Sequence, residues 1–247
     1  MNLAATTHAD MSNVVPFSSP QRMPFTVRIA GTEAELEQAV QIRHAAYARH
    51  VPALAQLLRA PEAGDRDADA TVLLAESKLD GEPLGTMRIQ TNRHRPLTIE
   101  QSVALPAWLR HRRLAEATRL GITAARVGRV VKILLFKAFY LYCKRTGVDW
   151  MVIGARSPLD RQYESLLFED VFPGRGFVPL AHAGNIPHRV LAFEMATADA
   201  RWRQTGHPLY GLFCRTHHPD INVRGAEEQT ALAPQPVSRP LRAVAEA

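Results

Sequence analysis

Between Glu116 and Arg145 a strand pattern runs through a short glycine-bearing turn into a helix pattern, and this junction constrains the fold more than any other stretch. Glu116-Ala117-Thr118-Arg119-Leu120-Gly121-Ile122-Thr123 reads as a strand. Ala124-Ala125-Arg126-Val127-Gly128-Arg129 reads as a basic linker, and Val130 to Arg145 as a very apolar helix. A strand, a turn with free backbone donors and a helix start is how α/β folds hold the phosphate end of a carrier cofactor, because unpaired amides attract anions. Lys132 and Lys137 interrupt the apolar run, which marks a core helix and not a membrane span.

The rest of the chain supplies the elements such a junction needs. Phe25–Ala30 alternates as a first strand. Thr32 followed by Glu35 is a capping box, and Leu36, Val40, Arg43 and Tyr47 then recur along one helical face. Arg43 in that stripe either snorkels to water or is paired with a carboxylate, for which Asp67 and Glu116 are the candidates. A short helix is expected within Ala53–Ala60, before the acidic stretch Glu62-Ala63-Gly64-Asp65-Arg66-Asp67-Ala68-Asp69, which taken alone is a solvated turn.

Val72–Glu76 and Leu84–Gln90 read as a hairpin closed by Asp80-Gly81-Glu82-Pro83, with Arg88 on its more polar face. Gly147 ends the apolar helix, whose Lys137 and Lys144 fall on one face expected to be exposed. Trp150–Ala155 is a buried strand and Leu159–Phe168 an amphipathic helix. Phe177–Leu180 and Arg189–Phe193 are the last strands, joined by Gly184-Asn185-Ile186-Pro187. The chain divides into a disordered leader (1–23), one α/β domain (24–196), a helical extension (197–221) and a disordered tail (222–247).

Composition bounds the function. The net charge of +6 favours an acidic partner: nucleic acid, an anionic lipid surface or an acidic carrier protein. No helix-turn-helix, zinc-knuckle or RNA-recognition pattern supports a nucleic-acid module, so no nucleic acid is expected. Cys143 and Cys214 are too few for a disulfide scaffold, and neither they nor the histidines show a ligand spacing; no metal is predicted and a cytoplasmic setting is expected. Both cysteines read as inert thiols rather than acyl carriers. The first 24 residues lack the apolar region of a signal peptide.

Five motifs in order resemble one family. They are Ile42-Arg43-His44-Ala45-Ala46-Tyr47, the acidic stretch around Asp67, Gly85-Thr86-Met87-Arg88, Glu116-Ala117-Thr118-Arg119-Leu120, and Tyr163-Glu164-Ser165-Leu166-Leu167-Phe168. Over roughly residues 25–195 they look like the long-chain N-acyl amino acid synthases, cousins of the acyl-homoserine-lactone autoinducer synthases. The resemblance implies the GNAT acyltransferase fold, with a mixed, mostly antiparallel sheet flanked by helices. It implies transfer of a fatty acyl group from acyl carrier protein to the amine of an amino acid, the donor being an acyl-phosphopantetheine and no cofactor being permanently bound. It also implies a linked charged cluster of Arg43, Asp67, Arg88, Glu116 and Arg119, with Tyr47 as the following aromatic.

Two departures narrow the match. Val51-Pro52-Ala53 lacks the tryptophan of the autoinducer synthases, which argues against a lactone product. Only Arg126 and Gly128 are reminiscent of the Arg-x-x-Gly-x-Gly turn of coenzyme-A-dependent relatives, which argues against coenzyme A as donor. The remaining alternatives are an autoinducer synthase, a coenzyme-A-dependent N-acetyltransferase and a non-catalytic acyl-binding module.

Thioester aminolysis needs a base for the amine's proton and donors for the oxyanion. Glu116 is assigned the base, and Arg88 or Arg119 the acceptor's carboxylate. Residues three apart in a regular strand face opposite sides, so Glu116 and Arg119 share the cleft only if a bulge intervenes. Arg126, Gly128, Arg129 and Lys132 are the candidate carrier and pantetheine contacts, within a cationic surface that also includes Arg110, Arg112, Arg113 and Lys137. Leu134, Phe136, Phe139, Leu141 and Tyr142 are candidates for an acyl slot, and a lipid product would bring peripheral membrane contact.

Overall fold

Residues 20–225 are described in the computed structural model of the protein. Among them one mixed sheet is built from β1 (Phe25–Ile29), β2 (Ala70–Ser77), β3 (Pro83–Thr91), β4 (Leu114–Ile122), β5 (Trp150–Ala155), β6 (Glu169–Asp170), β7 (Val178–Leu180), β8 (Ile186–Glu194) and β9 (Ile221–Asn222). The order across it is β6-β8-β5-β4-β3-β2-β1-β9, with β7 paired to β8 outside that path. Pairing is antiparallel except between β4 and β5 at the centre and between β1 and β9 at the edge.

The helices α1 (Glu33–Ala48) and α3 (Gly128–Thr146) cover opposite faces; α2 (Pro52–Leu57), α4 (Leu159–Glu164) and α5 (Ala198–Gln204) are shorter. Two glycines set how closely the long helices lie. A Cβ on Gly121 of β4 would stand 2.7 Å from Arg43 Cα in α1, and one on Gly85 of β3 would stand 2.7 Å from Val131 in α3. α1 starts at the expected capping box, Thr32 Oγ1 accepting from Glu35 N and Glu35 Oε2 from Thr32 N. α3 ends where Gly147 turns left-handed at φ 70°, its N–H reaching Cys143 O. Alternation along the strands sends Val27, Leu73, Met87 and Ile89 beneath α3, where Leu135 and Phe139 meet them.

Four local expectations differ from what the chain does. α4 stops at Glu164, because Leu167 takes a left-handed φ of 69° and turns Phe168 into the core. Ile186 and Pro187 already belong to β8, leaving only Gly184 and Asn185 in the turn. Residues 197–221 are not helical throughout: after α5 come a π-helical turn (Gly211–Arg215) and β9, which pairs with β1, while Trp202 and Phe213 pack into the main core.

Lys137 is the fourth difference, since it is not exposed. It is 1% exposed, its Nζ donating to Leu212 O (2.6 Å) and Thr216 O (2.5 Å) and lying 2.7 Å from His218 Nδ1. The C-terminal segment covers the face that helical period alone made look free, whereas Lys144, seven residues on, stays in solvent.

The expected leader and tail lie mostly outside the described residues. Where they overlap, Gln21 N bonds His217 O and Met23 N bonds Asp220 Oδ2, so residues 20–23 are tied to the segment before β9. Asn222 is in β9 and Val223 is buried.

Candidate active site

The centre of β4 carries the bulge that Glu116 and Arg119 require. Arg88 pairs with Thr118 and Thr86 with Gly121, so β4 spends one more residue than β3 between those rungs. Arg119 absorbs the extra residue at φ 55°. Its side chain thereby joins Glu116 and Thr118 on the α1 face, where Arg88 Nε donates to Thr118 Oγ1 at 3.2 Å.

Three arginines and two carboxylates interlock there. Arg43 donates to Asp65 Oδ2 (2.9 Å) and Oδ1 (2.8 Å) and to Glu62 Oε2 (3.3 Å). Arg88 donates to Glu62 and Asp65, each at 3.2 Å. Arg119 grips Glu62 with Nε and a terminal nitrogen, both at 2.6 Å, and gives its other terminal nitrogen to His182 O at 3.0 Å. Burial works against both carboxylates, yet the arginines hold Glu62 and Asp65 below the ordinary carboxylate range. Glu116, beside this cluster, adds a third carboxyl near Arg88 and Arg119.

The partners of Arg43 are therefore neither Asp67 nor Glu116. Glu62 precedes and Asp65 ends a 3-10 turn (Ala63–Asp65) that brings them to one side, the Glu62 N–H bonding Asp65 Oδ2 at 2.8 Å. Asp67 lies at the rim and holds Arg95 at 2.6 Å. The four acids within Glu62–Asp69 are visible in the sequence, but not which pair turns inward.

Glu116 is wholly buried. One oxygen accepts the Ile99 N–H at 3.0 Å, and the other has no hydrogen-bond partner. Burial pushes its carboxyl up to about 7, against the pull of the Ile99 amide, Arg88 and Arg119. His182, on the 3-10 turn Ala181–Ala183, brings Nε2 to 3.8 Å from the free Glu116 oxygen, and burial with Arg119 beside it lowers the imidazole to about 4. No spacing motif singles out His182 in the sequence; only the fold brings β4 and this turn together.

Two cavities meet at this region. Pairing between β4 and β5 ends at Ala117 and Ile153, and beyond it a groove of about 290 Å³ opens between Leu120 and Ile122 on one side and Gly154 and Ala155 on the other. Tyr47, Lys132 and Tyr163 also line it. A polar cleft of about 460 Å³ is lined by Glu62, Asp67, Arg88, Arg95, Arg119 and His182. Leu54 borders both.

Around the start of α3, Arg126 and Arg129 are exposed, and Lys132 bonds Gln162 Oε1 at 2.5 Å. Gly128 is needed for fit, since a Cβ there would meet Thr123 O at 2.5 Å. Lys137, expected in the same cationic surface, is not part of it. Of the acyl-slot candidates, Leu134 and Phe139 are sealed in the core. Phe136 borders an apolar pocket of about 250 Å³ with Ile133, Tyr163, Leu166, Leu209 and Phe213. Cys143 is buried with its thiol pushed well up, and Cys214 is raised to about 11 by burial and by Asp199, so neither is primed as a nucleophile. Among the described residues no group of three or more His, Cys, Asp or Glu side chains is placed to hold a metal ion.

No family model and no curated protein sequence matches the chain. Solved structures do. The chain is similar to FeeM, an N-acyl amino acid synthase from uncultured soil microbes, with a TM-score of 0.60 and 18% identity over 73% of this chain and 96% of FeeM. It is also similar to BjaI, a CoA-dependent acyl-homoserine lactone synthase solved with SAM and isopentyl-CoA and with MTA, at a TM-score of 0.50 and 16% identity over 81% of this chain and 94% of BjaI. Identities this low speak for the fold: the chain has the GNAT-like acyltransferase architecture that its motif order led us to expect.

Proposed function

We propose that the protein is an N-acyltransferase that moves a long-chain acyl group from the phosphopantetheine thioester of acyl carrier protein to the amine of an amino acid. The observation that carries this is the opening of the β4–β5 groove beside the Glu116–arginine cluster. A pantetheine arm is a thin chain with two amides, and unpaired strand edges at a splay offer it hydrogen bonds. Leu120, Ile122 and Ala155 give the thioester apolar walls.

On the far side of Arg119, the polar cleft suits an acceptor with a carboxylate, because Arg88, Arg95 and Arg119 line it. Glu116 then serves as base. Near 7 its carboxyl is matched to neutral pH, where a general base works best. Exposed Arg126 and Arg129 and half-buried Lys132 are the contacts we assign to the acidic carrier and its phosphate. FeeM, the fold neighbour described as an N-acyl amino acid synthase, supports this product class. We place the reaction in the cytoplasm; no helix among the described residues is long and apolar enough to cross a membrane.

A second reading, a coenzyme-A-linked donor, is favoured by the likeness to BjaI. One assay separates them. Purified protein is given acyl carrier protein or coenzyme A thioesters of the same fatty acid with a mixture of amino acids, and products are read by mass spectrometry. N-acyl amino acids from the carrier thioester support the proposal. Product from coenzyme A alone supports the second reading, and no product from either donor with folded protein refutes both.

A further inference from the structure

The base assigned above has no direct access to a substrate. Glu116 is 0% exposed and lines neither the groove nor the polar cleft. Its Oε2 is committed to the Ile99 amide, and only Oε1 is free to gain a proton. A base sealed in this way serves an amine only through an intermediary.

Resting on the acyltransfer reading, the geometry points to His182 as a catalytic proton relay between the acceptor amine in the polar cleft and Glu116. His182 is the titratable side chain that lines the cleft and also faces Glu116, with Nε2 3.8 Å from the free Oε1. Its other ring nitrogen, Nδ1, is sealed from solvent and has no hydrogen-bond partner, so no structural bond explains the histidine and Nε2 is the nitrogen that serves the cleft. The turn that carries it is fixed: Arg119 binds the His182 carbonyl, Ser102 Oγ accepts the Ala181 N–H at 2.8 Å, and Gly184 closes the turn at φ 69°.

The protons balance as follows. The acceptor's ammonium gives one proton to His182 Nε2, and Nε2 passes it to Glu116 Oε1. The freed amine attacks the thioester carbon; the C–N bond forms, the C–S bond breaks, and sulfur leaves as thiolate. The second proton lost from nitrogen ends on sulfur as the thiol. The proton on Glu116 returns to solvent by the reverse path, so one proton is released per amide formed.

The charges around the ring keep the proton from resting on it. Arg119 and Arg88 from the sheet and His188 from β8 oppose a lasting imidazolium, and Glu62 only partly offsets them. The imidazole, lowered to about 4, passes its proton on to a carboxylate that takes it at about 7. Thr98 and Ile99, over the carboxyl, contribute backbone amides and no titrating group.

The test compares wild type with His182→Gln and His182→Ala. Both variants are expected to lose 100-fold or more in kcat with the donor KM within twofold, the scale of general-base catalysis. Added imidazole should restore part of the rate to His182→Ala but not to wild type. Rates within threefold of wild type in the folded Gln variant would overturn the relay, because water would then reach Glu116 unaided. A second readout needs no turnover. The Glu116 carboxyl, identified by infrared difference against Glu116→Gln, should exchange its proton with deuterated solvent at least tenfold more slowly in His182→Gln. Equal exchange would also overturn the relay. An active wild type with unaffected His182 variants fails this inference alone, whereas an inactive wild type fails the acyltransfer reading and leaves the exchange measurement to decide the contact.

Discussion

Arg43 on α1 and Asp65 on the turn before β2 meet through two parallel hydrogen bonds, of 2.9 and 2.8 Å, with both side chains wholly out of solvent. Removing either partner leaves the other buried charge with one longer contact, Arg43 with Glu62 at 3.3 Å or Asp65 with Arg88 at 3.2 Å. Asp65→Ala is therefore expected to cost roughly 3 kcal/mol, the low end for a broken buried pair, whereas an apolar replacement of both partners costs far less. Denaturant titration of the two single variants and the double variant checks this. The pH sign follows from the lowered Asp65 carboxyl: its contribution is present above the unfolded carboxylate value, about pH 4, and is lost as pH falls through the lower folded value. Acid should thus destabilise wild type more steeply than Asp65→Ala.

Glu116 has the opposite sign. Its folded value, about 7, lies above the ordinary 4.5, so the fold prefers the protonated carboxyl. Relative to an uncharged isostere, stability is undiminished below about pH 4 and is lost as pH rises through 7, by up to roughly 3 kcal/mol. Glu116→Gln keeps an acceptor for the Ile99 amide. It should melt at the same temperature as wild type at pH 5 and higher at pH 8, while losing activity. Wild-type kcat should rise with pH through about 7.

Filling the groove should block the donor without unfolding the protein. Leu120 lines the groove at the edge of the core, so Leu120→Trp adds bulk to open space. The expected result is a donor KM raised tenfold or more with an unchanged melting curve. A normal KM would place the donor elsewhere.

Lys137 ties α3 to the C-terminal segment. In Lys137→Met, Leu212 O and Thr216 O lose their ammonium donor, at about 1–3 kcal/mol for each buried group left unpaired. Amide exchange should speed up through residues 211–218 and stay unchanged in β3 and β4.

Period and capping made most of the scaffold legible in the sequence. Thr32 with Glu35, Gly147 after the apolar helix, and alternation in Trp150–Ala155 are local signals whose physics acts within a few residues. The bulge at Arg119 was readable as a requirement, since Glu116 and Arg119 have no other way to share a face. What escaped depends on distant partners. Which acids meet Arg43 depends on a turn closing from 22 residues away in sequence. Burial of Lys137 depends on a segment 75 and more residues downstream. His182 carries no pattern of its own and gains meaning only from the glutamate it approaches.

A crystal structure with a non-hydrolysable acyl-pantetheine thioether shows where the donor lies. The thioether sulfur is expected in the groove where β4 and β5 part, with Leu120, Ile122 and Ala155 along the ligand and the adjoining carbon facing the Arg119 bulge. Ligand bound on another surface, or an empty groove at saturating concentration, would contradict it.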